Sequence, residues 1–419
     1  MQFYRETEFQ RTSIGKLPKK WDVVKFQNVA EFKNGINFSK KQKGKKGILT
    51  IDVLNMYGDS LYVIFDHLYR LDINFKENSD YVLKKGDILF VRSSLKREGA
   101  GWASLFNGYK EPVTFCGFII RARLKEQRIS QEFLTYFLRS NMAREKILSR
   151  AGQVAITNVT QDNLSILYIP IPSLPEQQQI ASVLLKIDDA IQKTDGIIQK
   201  IQLLKKGLMQ ELLTKGIGHK DFKYSKELGC KIPMEWAISD LGARCRVIMG
   251  QSPPSRTYNE DGDGIPFFQG NVDFGERNPM VRIYCSEPKK IAKKDDILFS
   301  VRAPVGELNI ANRECCIGRG LAAIRVEGEN DRDYVLYSIK QFLKNLVPQG
   351  STFQAVGKTE METFCLSFPR SEEQRQIASI LSNVDDQIEK ERQTKEQLER
   401  LKKGLMQILL TGKVRIKVN

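Results

Sequence analysis

The chain repeats one long segment of its own sequence, and this repeat constrains the fold more than any other feature. Residues 171–217 and residues 368–414 align without gaps, and nearly half of the aligned positions are identical. The string LKKGLMQ occurs unchanged in both copies. Self-similarity of this kind indicates one supersecondary unit that is built twice. We therefore expect a chain of two halves, each of which ends in one copy of the repeat.

Two shorter matches lie upstream of each copy. The string LPKKW at residues 17–21 corresponds to IPMEW at 232–236, and KKGDILFVR at 84–92 corresponds to KKDDILFSVR at 293–302. Arg92 and Arg302, which end the second match, are predicted to occupy equivalent positions. Between these matches the halves diverge strongly. A duplicated chain that keeps its connectors while its domains diverge indicates one scaffold with two different specificities.

Apolar residues recur in both copies with the period of a heptad, which predicts a long helix that pairs with another helix. The predicted seam consists of Ile180, Leu184, Ile187, Ile191, Ile198, Ile201, Leu208 and Leu212 in the first copy and Ile377, Leu381, Val384, Ile388, Leu398, Leu405 and Leu409 in the second. Thr194 and Glu391 interrupt the seam at the matching position, and Lys395 and Lys402 also fall on it. Two copies in one chain predict an antiparallel intramolecular coiled coil, although an ordinary dimerisation helix would need the same seam.

Proline and glycine residues predict where these two helices begin and end. Pro172, Pro175 and Pro369 preclude an earlier start, since proline disrupts a helix interior. Gly216 and Gly412 follow the last apolar residues and supply the stops.

The segment before each helix reads as α/β. Extended runs are predicted at residues 48–54, 87–91, 113–124 and 164–171, with a helix at 131–148. The second half has matching runs at 296–301 and 320–326 and a helix at 334–346. The predicted fold class is therefore α/β (mixed α+β) in two copies, each followed by a long helix, with a pseudo-two-fold internal repeat. The predicted boundaries are 1–171 for the first domain, 172–216 for its helix, 217–368 for the second domain, and 369–419 for the second helix and tail.

The charge balance favours a phosphate-rich partner. Lys and Arg number 66 against 50 Asp and Glu, which gives a net charge of +16. Such a charge fits nucleic-acid binding and counterion release, although a lysine-rich proteome would give the same composition. Only two histidines occur, His67 and His219, which disfavours histidine-based acid–base chemistry and multi-histidine metal sites.

Cysteine usage and hydropathy point to an intracellular protein. The seven cysteines are odd in number and form no C-x-x-C pair, so reduced, mostly buried thiols are predicted rather than a metal site. No apolar run approaches the roughly 18 residues of a membrane helix, and the polar start does not resemble a signal peptide. We expect a cytoplasmic protein without membrane association.

Several fragments resemble catalytic motifs, but each lacks an essential part. Residues 350–359 resemble a P-loop, yet six residues separate the glycines where the phosphate cradle needs four. Residues 252–255, SPPS, lack the polar and aromatic positions of amino-methyltransferases. The repeated pairs Asp188–Asp189 and Asp385–Asp386 lie mid-helix, where solvated charge or contact with a partner is a better interpretation than a metal site. No catalytic, cofactor-binding or metal residues are predicted.

The whole pattern resembles the specificity subunit of type I restriction–modification enzymes. The resemblance covers nearly the entire chain. It is carried by the Pro–Trp strings at 17–21 and 232–236, the P-x-x-x-E-Q-x-x-I-A sequence at 172–181 and 369–378, and the LKKGLMQxLLT ending at 204–214 and 401–411. The combination occurs twice at one spacing, which makes it specific.

This resemblance implies a protein that reads DNA and is not itself an enzyme. Each α/β domain would be a target-recognition domain for one half of a bipartite double-stranded site, and the helix pair would set the spacing. The implied partners are two modification subunits, which bind S-adenosylmethionine and methylate adenine, and restriction subunits, which use ATP and Mg. No cofactor is expected in this chain.

Candidate DNA-facing residues are basic or polar side chains in predicted loops, since basic groups bind phosphate and polar groups read base edges. In the first domain they are Lys40, Lys41, Lys43, Lys45, Lys46, Arg92, Ser93, Ser94, Lys96 and Arg97, and in the second Gln251, Arg256, Asn259, Gln269, Asn271, Arg302 and Arg319. Trp102 and Phe268 are more readily explained as core than as stacking platforms.

Two rival functions stay open at this point. A self-sufficient DNA methyltransferase or nuclease would need the catalytic and cofactor motifs that these residues do not supply. A coiled-coil scaffold without a DNA role would be favoured by a lack of any DNA affinity, even with modification subunits present.

Overall fold

The computed structural model describes residues 2–58, 60–74, 77–153, 156–346 and 355–417. The chain divides into two compact units, of which unit 1 comprises residues 1–197 and 391–419 and unit 2 comprises residues 198–390. Each unit therefore combines one variable segment with part of both repeated helices.

The first half of the chain alternates short strands with short helices before one long helix. Its strands are β1 Phe3–Arg5, β2 Phe9–Thr12, β3 Gly15–Pro18, β4 Asp22–Lys25, β5 Ala30–Asn34, β6 Lys43–Gly44, β7 Ile48–Ile51, β8 Tyr69–Leu71, β9 Ile88–Val91, β10 Ser93–Ser94, β11 Ala103–Leu105, β12 Val113–Phe115, β13 Ile119–Leu124, β14 Gly152–Gln153, β15 Thr157–Asn158 and β16 Tyr168–Ile171. Its helices are α1 Phe26–Val29, α2 Gln131–Arg139, α3 Asn141–Ser149, α4 Gln161–Ser165 and α5 Leu174–Lys215.

The second half repeats this order of elements. Its strands are β17 Phe222–Ser225, β18 Cys230–Pro233, β19 Ala237–Asp240, β20 Cys245–Met249, β21 Tyr258–Asn259, β22 Ile265–Phe268, β23 Ile283–Cys285, β24 Ile291–Ala292, β25 Ile297–Ser300, β26 Leu308–Ile310, β27 Cys315–Ile317, β28 Leu321–Val326, β29 Cys365–Phe368 and β30 Val414–Ile416. Its helices are α6 Leu241–Arg244, α7 Arg332–Leu346, α8 Lys358–Glu362 and α9 Ser371–Leu409.

The two units share one sheet topology. Unit 1 has an antiparallel sheet in the order β11-β9-β13-β5 and a second sheet in the order β12-β7-β8-β6. Unit 2 has the corresponding orders β26-β25-β28-β20 and β24-β27-β22-β23-β21, in which β24 is an additional edge strand. Each second sheet contains a parallel pair, β12 with β7 in unit 1 and β27 with β22 in unit 2. Divergent sequences therefore fold to the same mixed α/β arrangement, as the repeat predicted.

The central strand of each first sheet is buried on both faces, which explains the repeated ILF string. All four residues of β9 and of β25 are buried. Alternate side chains of β9 enter different cores: Ile88 and Phe90 pack with the helices, whereas Leu89 and Val91 pack with the second sheet. A strand between two apolar layers reads as a continuous apolar run rather than as an alternating one.

The aspartate before each of these strands anchors the strand's start. Asp87 accepts hydrogen bonds from the Lys84 amide at 2.7 Å and from two nitrogens of Arg123, each at 2.7 Å. Asp296 accepts from the Lys293 amide at 2.8 Å and from Arg325 at 2.7 and 2.9 Å. The hydrogen bonds that the two arginines donate to these buried carboxylates raise the pKa of both guanidinium groups.

The repeated tryptophan binds the start of each long helix. The Trp21 indole N–H donates to Glu176 Oε2 at 3.3 Å, and the Trp236 indole N–H donates to Glu373 Oε2 at 3.1 Å. Glu176 also accepts two hydrogen bonds from Arg415, at 2.6 and 2.7 Å. The Pro–Trp string and the E-Q string thus repeat together because they form one contact.

The glutamine after each of these glutamates joins the same helix to the variable segment. Gln177 accepts from the Ser130 amide at 2.9 Å and donates to the Pro172 carbonyl at 2.8 Å. Gln374 accepts from the Asp331 amide at 2.9 Å and donates to the Pro369 carbonyl at 2.9 Å.

The chain ends of unit 1 are joined by a strand pair. Strands β1 and β30 are antiparallel, with Phe3 opposite Ile416. Arg415, within β30, donates to Glu6 at 2.7 Å in addition to Glu176. In unit 2 the residue beside Glu373 is His219, whose Nε2 lies 2.9 Å from Glu373 Oε1.

The predicted seam positions are all buried or half-buried. Within unit 1, Ile180 and Leu184 belong to one core with Leu409. Within unit 2, Ile198 packs with Val384 and Ile388. Lys395 and Lys402, which interrupt the apolar pattern, each reach an aspartate of α5: Lys395 lies 2.7 Å from Asp195, and Lys402 lies 2.5 Å from Asp188.

Asp188 and Asp385 occupy the same place in the two copies and are bound by the same residue types. The Tyr136 hydroxyl donates to Asp188 at 2.6 Å, and the Tyr337 hydroxyl donates to Asp385 at 2.7 Å. Asp188 also binds Lys402 of α9, whereas Asp385 binds Lys205 of α5. Burial, and then the hydrogen bond to aspartate, raise the pKa of both tyrosines. The first aspartate of each pair thus makes contacts within the chain, while Asp189 is exposed beside Lys193.

Two predicted elements are each divided in the structure. The helix predicted at 131–148 is two helices, because Ser140 is extended and its hydroxyl accepts from the Ala143 amide to begin α3. The strand predicted at 113–124 is also two strands, β12 and β13, separated by a turn at residues 116–118. Local capping and a glycine-containing turn override the apolar pattern in these places.

Replacing Lys402 with Met should destabilise unit 1, because it removes the cation from Asp188, whose side chain is only 6% exposed. Breaking a buried ion pair costs about 3 kcal/mol. We expect a loss of that order in the free energy of unfolding, measured by urea denaturation.

Lys193→Met provides the matched control. Its partner Asp189 is 60% exposed, so this variant should lose less than about 1 kcal/mol. Equal losses in the two variants would contradict a structural role for the Asp188–Lys402 pair.

Candidate nucleic-acid interface

The five lysines of the first candidate loop are all exposed. Lys40 and Lys41 lie in a short 3₁₀ turn, and Ser39 and Gln42 cap this turn reciprocally. Lys43 is held, since its ammonium lies 3.7 Å from Asp52 and 3.7 Å from the centre of the Tyr69 ring. The loop therefore presents a cluster of cations on an ordered backbone.

The second candidate loop of unit 1 divides into structural and projecting residues. The Arg92 amide donates to the Phe118 carbonyl at 2.7 Å, and its guanidinium donates to the Gly117 carbonyl at 3.2 Å. Ser93 donates to Asn158 at 2.5 Å. Lys96 and Arg97, by contrast, are exposed. The hydrogen bonds of Arg92 and Ser93 thus fix the position of the loop backbone.

Ser94 also contributes to the shape of this loop, since its hydroxyl lies 3.5 Å from the Tyr57 hydroxyl. The cations that project from the loop are therefore those of Lys96 and Arg97.

Backbone hydrogen bonds bring several candidates of unit 2 to one edge of the sheets. The Gln251 amide donates to the Ile317 carbonyl at 3.0 Å, and the Gly318 amide donates to the Phe268 carbonyl at 2.8 Å. These bonds place Gln251, Gln269 and Arg319 beside one another at adjoining strand ends, and all three side chains are exposed.

Arg302 adjoins the same edge, because the residue before it, Val301, donates its amide to the Gly320 carbonyl at 2.9 Å. Arg302 itself is exposed and forms a β-bridge with Ala355. Asn271 begins a short 3₁₀ turn two residues after Gln269 and is half-buried.

Two candidates of unit 2 are occupied by contacts within the unit. The Asn259 side chain accepts from the Asp263 amide at 3.0 Å and donates to the Asp263 carbonyl at 2.9 Å. Arg256 lies 3.8 Å from Glu287. Asn259 therefore closes a local turn, while Arg256 stays exposed.

The family described as the Type I restriction modification DNA specificity domain matches residues 18–203 and again residues 233–400. The chain belongs to this family. It is a type I restriction–modification specificity subunit with two target-recognition domains, and the two matches correspond to the two halves of the repeat.

Relatives and solved structures agree with this assignment. The MjaX type I restriction enzyme specificity subunit of Methanocaldococcus jannaschii is 37% identical over 426 residues, which cover 100% of this chain and 99% of that protein. A chain solved in work on complex assembly and conformational transition of the type I R-M system is 26% identical, with a TM-score of 0.60 over 95% of this chain and 99% of that one. The type I S subunit from M. genitalium has the same fold, with a TM-score of 0.60 at 15% identity over 95% of this chain and 97% of that one.

Arg92 and Arg302 are not equivalent in this specificity subunit, so that prediction is wrong. Val91 and Ser300 occupy the same rung, because each is paired with the first residue of the neighbouring strand, Ile119 or Leu321. Arg92 therefore corresponds to Val301, and Arg302 corresponds to Ser93. The two strings differ by one residue in length, which the sequence match concealed.

The aromatic candidates of the specificity subunit are structural. Phe268 is 1% exposed, and the half-buried Trp102 lies under the Arg139 guanidinium, 4.7 Å from its ring centre. The prediction of core is confirmed for Phe268, whereas Trp102 packs against a core cluster and is only half-buried. Sequence reasoning missed three large apolar side chains that the loops of unit 1 expose, namely Leu54 at 83%, Leu95 at 84% and Phe118 at 60%. A tight Gly–Phe turn inside an apolar run is the signal that could have identified Phe118.

The thiols of the specificity subunit are structural as well. All seven cysteines are free, and five of them are buried. Burial raises the pKa of Cys116, Cys245 and Cys315 to about 12, so these thiols stay protonated at neutral pH. Among the described residues, no group of three or more His, Cys, Asp or Glu side chains could hold a metal ion.

The P-loop-like string at 350–359 lies partly outside the described residues, and its last two positions begin α8. In the SPPS string, the Pro253 carbonyl accepts from the Tyr258 hydroxyl at 2.7 Å. No described helix is long and apolar enough to cross a membrane.

Asn259→Ala should lower the thermal stability of the specificity subunit by about 1 kcal/mol, since it removes two hydrogen bonds that close a turn, and should leave sequence preference unchanged. Gln251→Ala removes an exposed side chain. This variant should keep its thermal stability and change its sequence preference. Thermal unfolding and binding to a panel of DNA duplexes measure both effects. A changed sequence preference in Asn259→Ala would restore Asn259 as a base-reading candidate.

Proposed function

We propose that each unit reads one half of a bipartite double-stranded DNA site and that the two long helices set the spacing between the half-sites. The observation that carries this proposal is the repeated edge of strand ends. The same topology in both units presents exposed basic and polar side chains from corresponding loops, and the side chains differ between the units. One scaffold with two sets of reading groups suits a site composed of two different halves.

Charge supports duplex DNA as the partner of both units. The net charge of +16 favours the phosphate backbone, which supplies sequence-independent affinity. Exposed lysines at residues 40–46 suit phosphate contacts in unit 1. Gln251, Gln269, Arg302 and Arg319 suit base edges in unit 2, since glutamine pairs with adenine and arginine with guanine.

We propose further that α5 and α9 form an antiparallel coiled coil related by a pseudo-two-fold axis. In unit 1 the partners of Asp188 and Asp195 are Lys402 and Lys395, so a step forward along α5 matches an equal step backward along α9. The Asp385–Lys205 pair of unit 2 exchanges the roles of the same repeated positions. In the Asp188–Lys402 and Asp385–Lys205 pairs, each copy of the repeat thus supplies one aspartate and one lysine to the other.

This pairing would give the helices a fixed register, because polar groups on a seam specify partner and alignment. A rigid helix pair also defines a distance better than a flexible linker does. The two copies of the repeat would offer equivalent docking positions to two modification subunits.

Catalysis in this proposal belongs to the partners. Modification subunits would bind S-adenosylmethionine and methylate adenine, and restriction subunits would use ATP and Mg for translocation and cleavage. This chain would contribute recognition and would hold no cofactor. The matched chain from work on type I R-M complex assembly supports an assembled complex as the working form.

The decisive experiment is methylation mapping. The chain is co-expressed with its modification subunit in a host without DNA methylation, and the genome is sequenced for modified adenines. We expect one bipartite motif that disappears when this chain is omitted. An assembled complex that modifies no motif would contradict the proposal and favour a scaffold role, whereas methylation by this chain alone would favour a self-sufficient methyltransferase.

A second prediction concerns the lysine loop. Replacing Lys40, Lys41, Lys45 and Lys46 with Gln should weaken binding to all duplexes alike. The slope of log Kd against log salt should fall by roughly 0.9 for each phosphate that the loop no longer neutralises, as measured by titrations at several salt concentrations.

The control for the lysine loop removes the same charge from α5. It replaces four exposed lysines of that helix with Gln, namely Lys186, Lys193, Lys200 and Lys206. If this control lowered the slope as much, net charge rather than the loop would carry the effect.

A further inference from the structure

The turn that joins the two sheets has the same backbone in both units. In unit 1 it spans residues 116–119, between β12 and β13, and the Ile119 amide donates to the Cys116 carbonyl at 3.0 Å. In unit 2 it spans residues 318–321, between β27 and β28, and the Leu321 amide donates to the Gly318 carbonyl at 3.0 Å. The turn of unit 1 contacts the candidate residue Arg92, and the turn of unit 2 contains the candidate residue Arg319.

Neighbouring strand ends fix each turn from two sides. The Phe118 carbonyl accepts from the Arg92 amide at 2.7 Å, and the Gly320 carbonyl accepts from the Val301 amide at 2.9 Å. On the other side a glycine approaches so closely that a Cβ would clash with the turn. A Cβ on Gly35 would lie 2.0 Å from the Cys116 carbonyl oxygen, and one on Gly250 would lie 2.1 Å from that of Gly318. The backbone of the turn therefore has little freedom to move.

The side chains at the tip of the turn differ completely between the units. Unit 1 has Gly117 followed by Phe118, and unit 2 has Arg319 followed by Gly320. Phe118 is 60% exposed, and Arg319 is exposed. The same fixed backbone therefore presents an apolar ring in one unit and a guanidinium in the other. This arrangement is expected of an element whose side chains contact different bases.

The surroundings of Phe118 favour DNA as the binding partner of this side chain. The Arg92 guanidinium bonds to the Gly117 carbonyl, and the loop that follows Arg92 carries the exposed cations of Lys96 and Arg97. An exposed phenyl ring on a turn that contacts an arginine, in a unit with an adjacent cationic loop, suits a polyanion that also offers an apolar group. The thymine 5-methyl group in the major groove is such a group, and arginine donates to the O6 and N7 acceptors of guanine.

We propose that this turn is a base-reading element in both units. Phe118 contacts a thymine 5-methyl group in one half-site, and Arg319 donates to a guanine in the other. The inference rests on the proposed function. It names the bases that one position of each unit distinguishes.

The test uses the full chain assembled with its modification subunits and a duplex that carries the mapped bipartite site. Each thymine of the site is replaced in turn by deoxyuridine, which lacks only the methyl group. One replacement, in one half-site, should weaken binding about fourfold, as expected when one buried methyl group is removed. Phe118→Ala should bind the thymine and deoxyuridine duplexes equally well.

Arg319 is tested in the same way at the other half-site. Replacing one guanine by 7-deazaguanine removes the N7 acceptor and should weaken the wild-type complex severalfold. Arg319→Ala should lose roughly tenfold in discrimination at that base pair alone and should be insensitive to 7-deazaguanine.

Transplanting the turn of unit 2 into unit 1 tests whether the turn can confer a new base preference. Asn37→Ser, Gly117→Arg and Phe118→Gly together give unit 1 the turn of unit 2, including Ser252, whose hydroxyl accepts from the Arg319 amide at 3.2 Å. Asn37 is changed because a Cβ on Gly117 would lie 2.0 Å from its Oδ1. Methylation mapping of this variant should show a new guanine preference at one position of one half-site.

Phe3→Ala is the control, since Phe3 is 47% exposed but lies in β1, paired with β30. It should retain the deoxyuridine effect. Melting temperatures establish that each variant is folded before binding is compared.

The outcomes separate this inference from the proposed function. A wild-type complex that binds its motif but ignores every deoxyuridine replacement overturns the role of Phe118, as does a Phe118→Ala variant that weakens all duplexes equally. A complex that binds no bipartite motif overturns the proposed function itself.

Discussion

The contact of one aspartate on each long helix with a tyrosine and a lysine is the interaction on which both units depend. Asp188 is 5% exposed, and a carboxylate in that position must be paired because burial penalises its charge. It receives a tyrosine from the variable segment and a lysine from the other helix copy. One charge thus joins three parts of the chain. Asp385 does the same in unit 2 with Tyr337 and Lys205, which explains why the pattern survives in both copies.

The sequence predicted those features that depend on long patterns or on repeated contacts. The helices are evident because a heptad pattern over many residues leaves few alternatives, and the P-x-x-x-E-Q string repeats because Glu176 and Glu373 bind a tryptophan. The turn at residues 116–118 was hidden inside an apolar run, since Cys116 and Phe118 are themselves apolar. The hydrogen bonds of the Asn259 side chain were also hidden, because its partners are backbone atoms of Asp263 in the same turn.

The exposure of the basic loops in the candidate site was predictable from the sequence, but the positions of individual side chains were not. Basic loops are visible in composition, and the exposed lysines at 40–46 lie where the sequence placed them. Arg302 corresponds to Ser93 rather than to Arg92 because of the strand register. A register shift of one residue moves each side chain to the opposite face of the sheet. The backbone of each unit is thus specified by shared contacts, while the exposed side chains at its edge are free to differ.

The pairing of β1 with β30 has a consequence for biosynthesis. Unit 2 is continuous in sequence and can fold as soon as residues 198–390 have left the ribosome. Unit 1 must wait for its last strand, since Arg415 supplies the cation for the buried carboxylate of Glu176. In the usual order the N-terminal domain folds first. Here unit 2 can complete its fold before unit 1 does. Unit 1 is thus the first unit to be synthesised and the last to complete its fold. Prior folding of unit 2 shortens the flexible loop that must close when β30 pairs with β1.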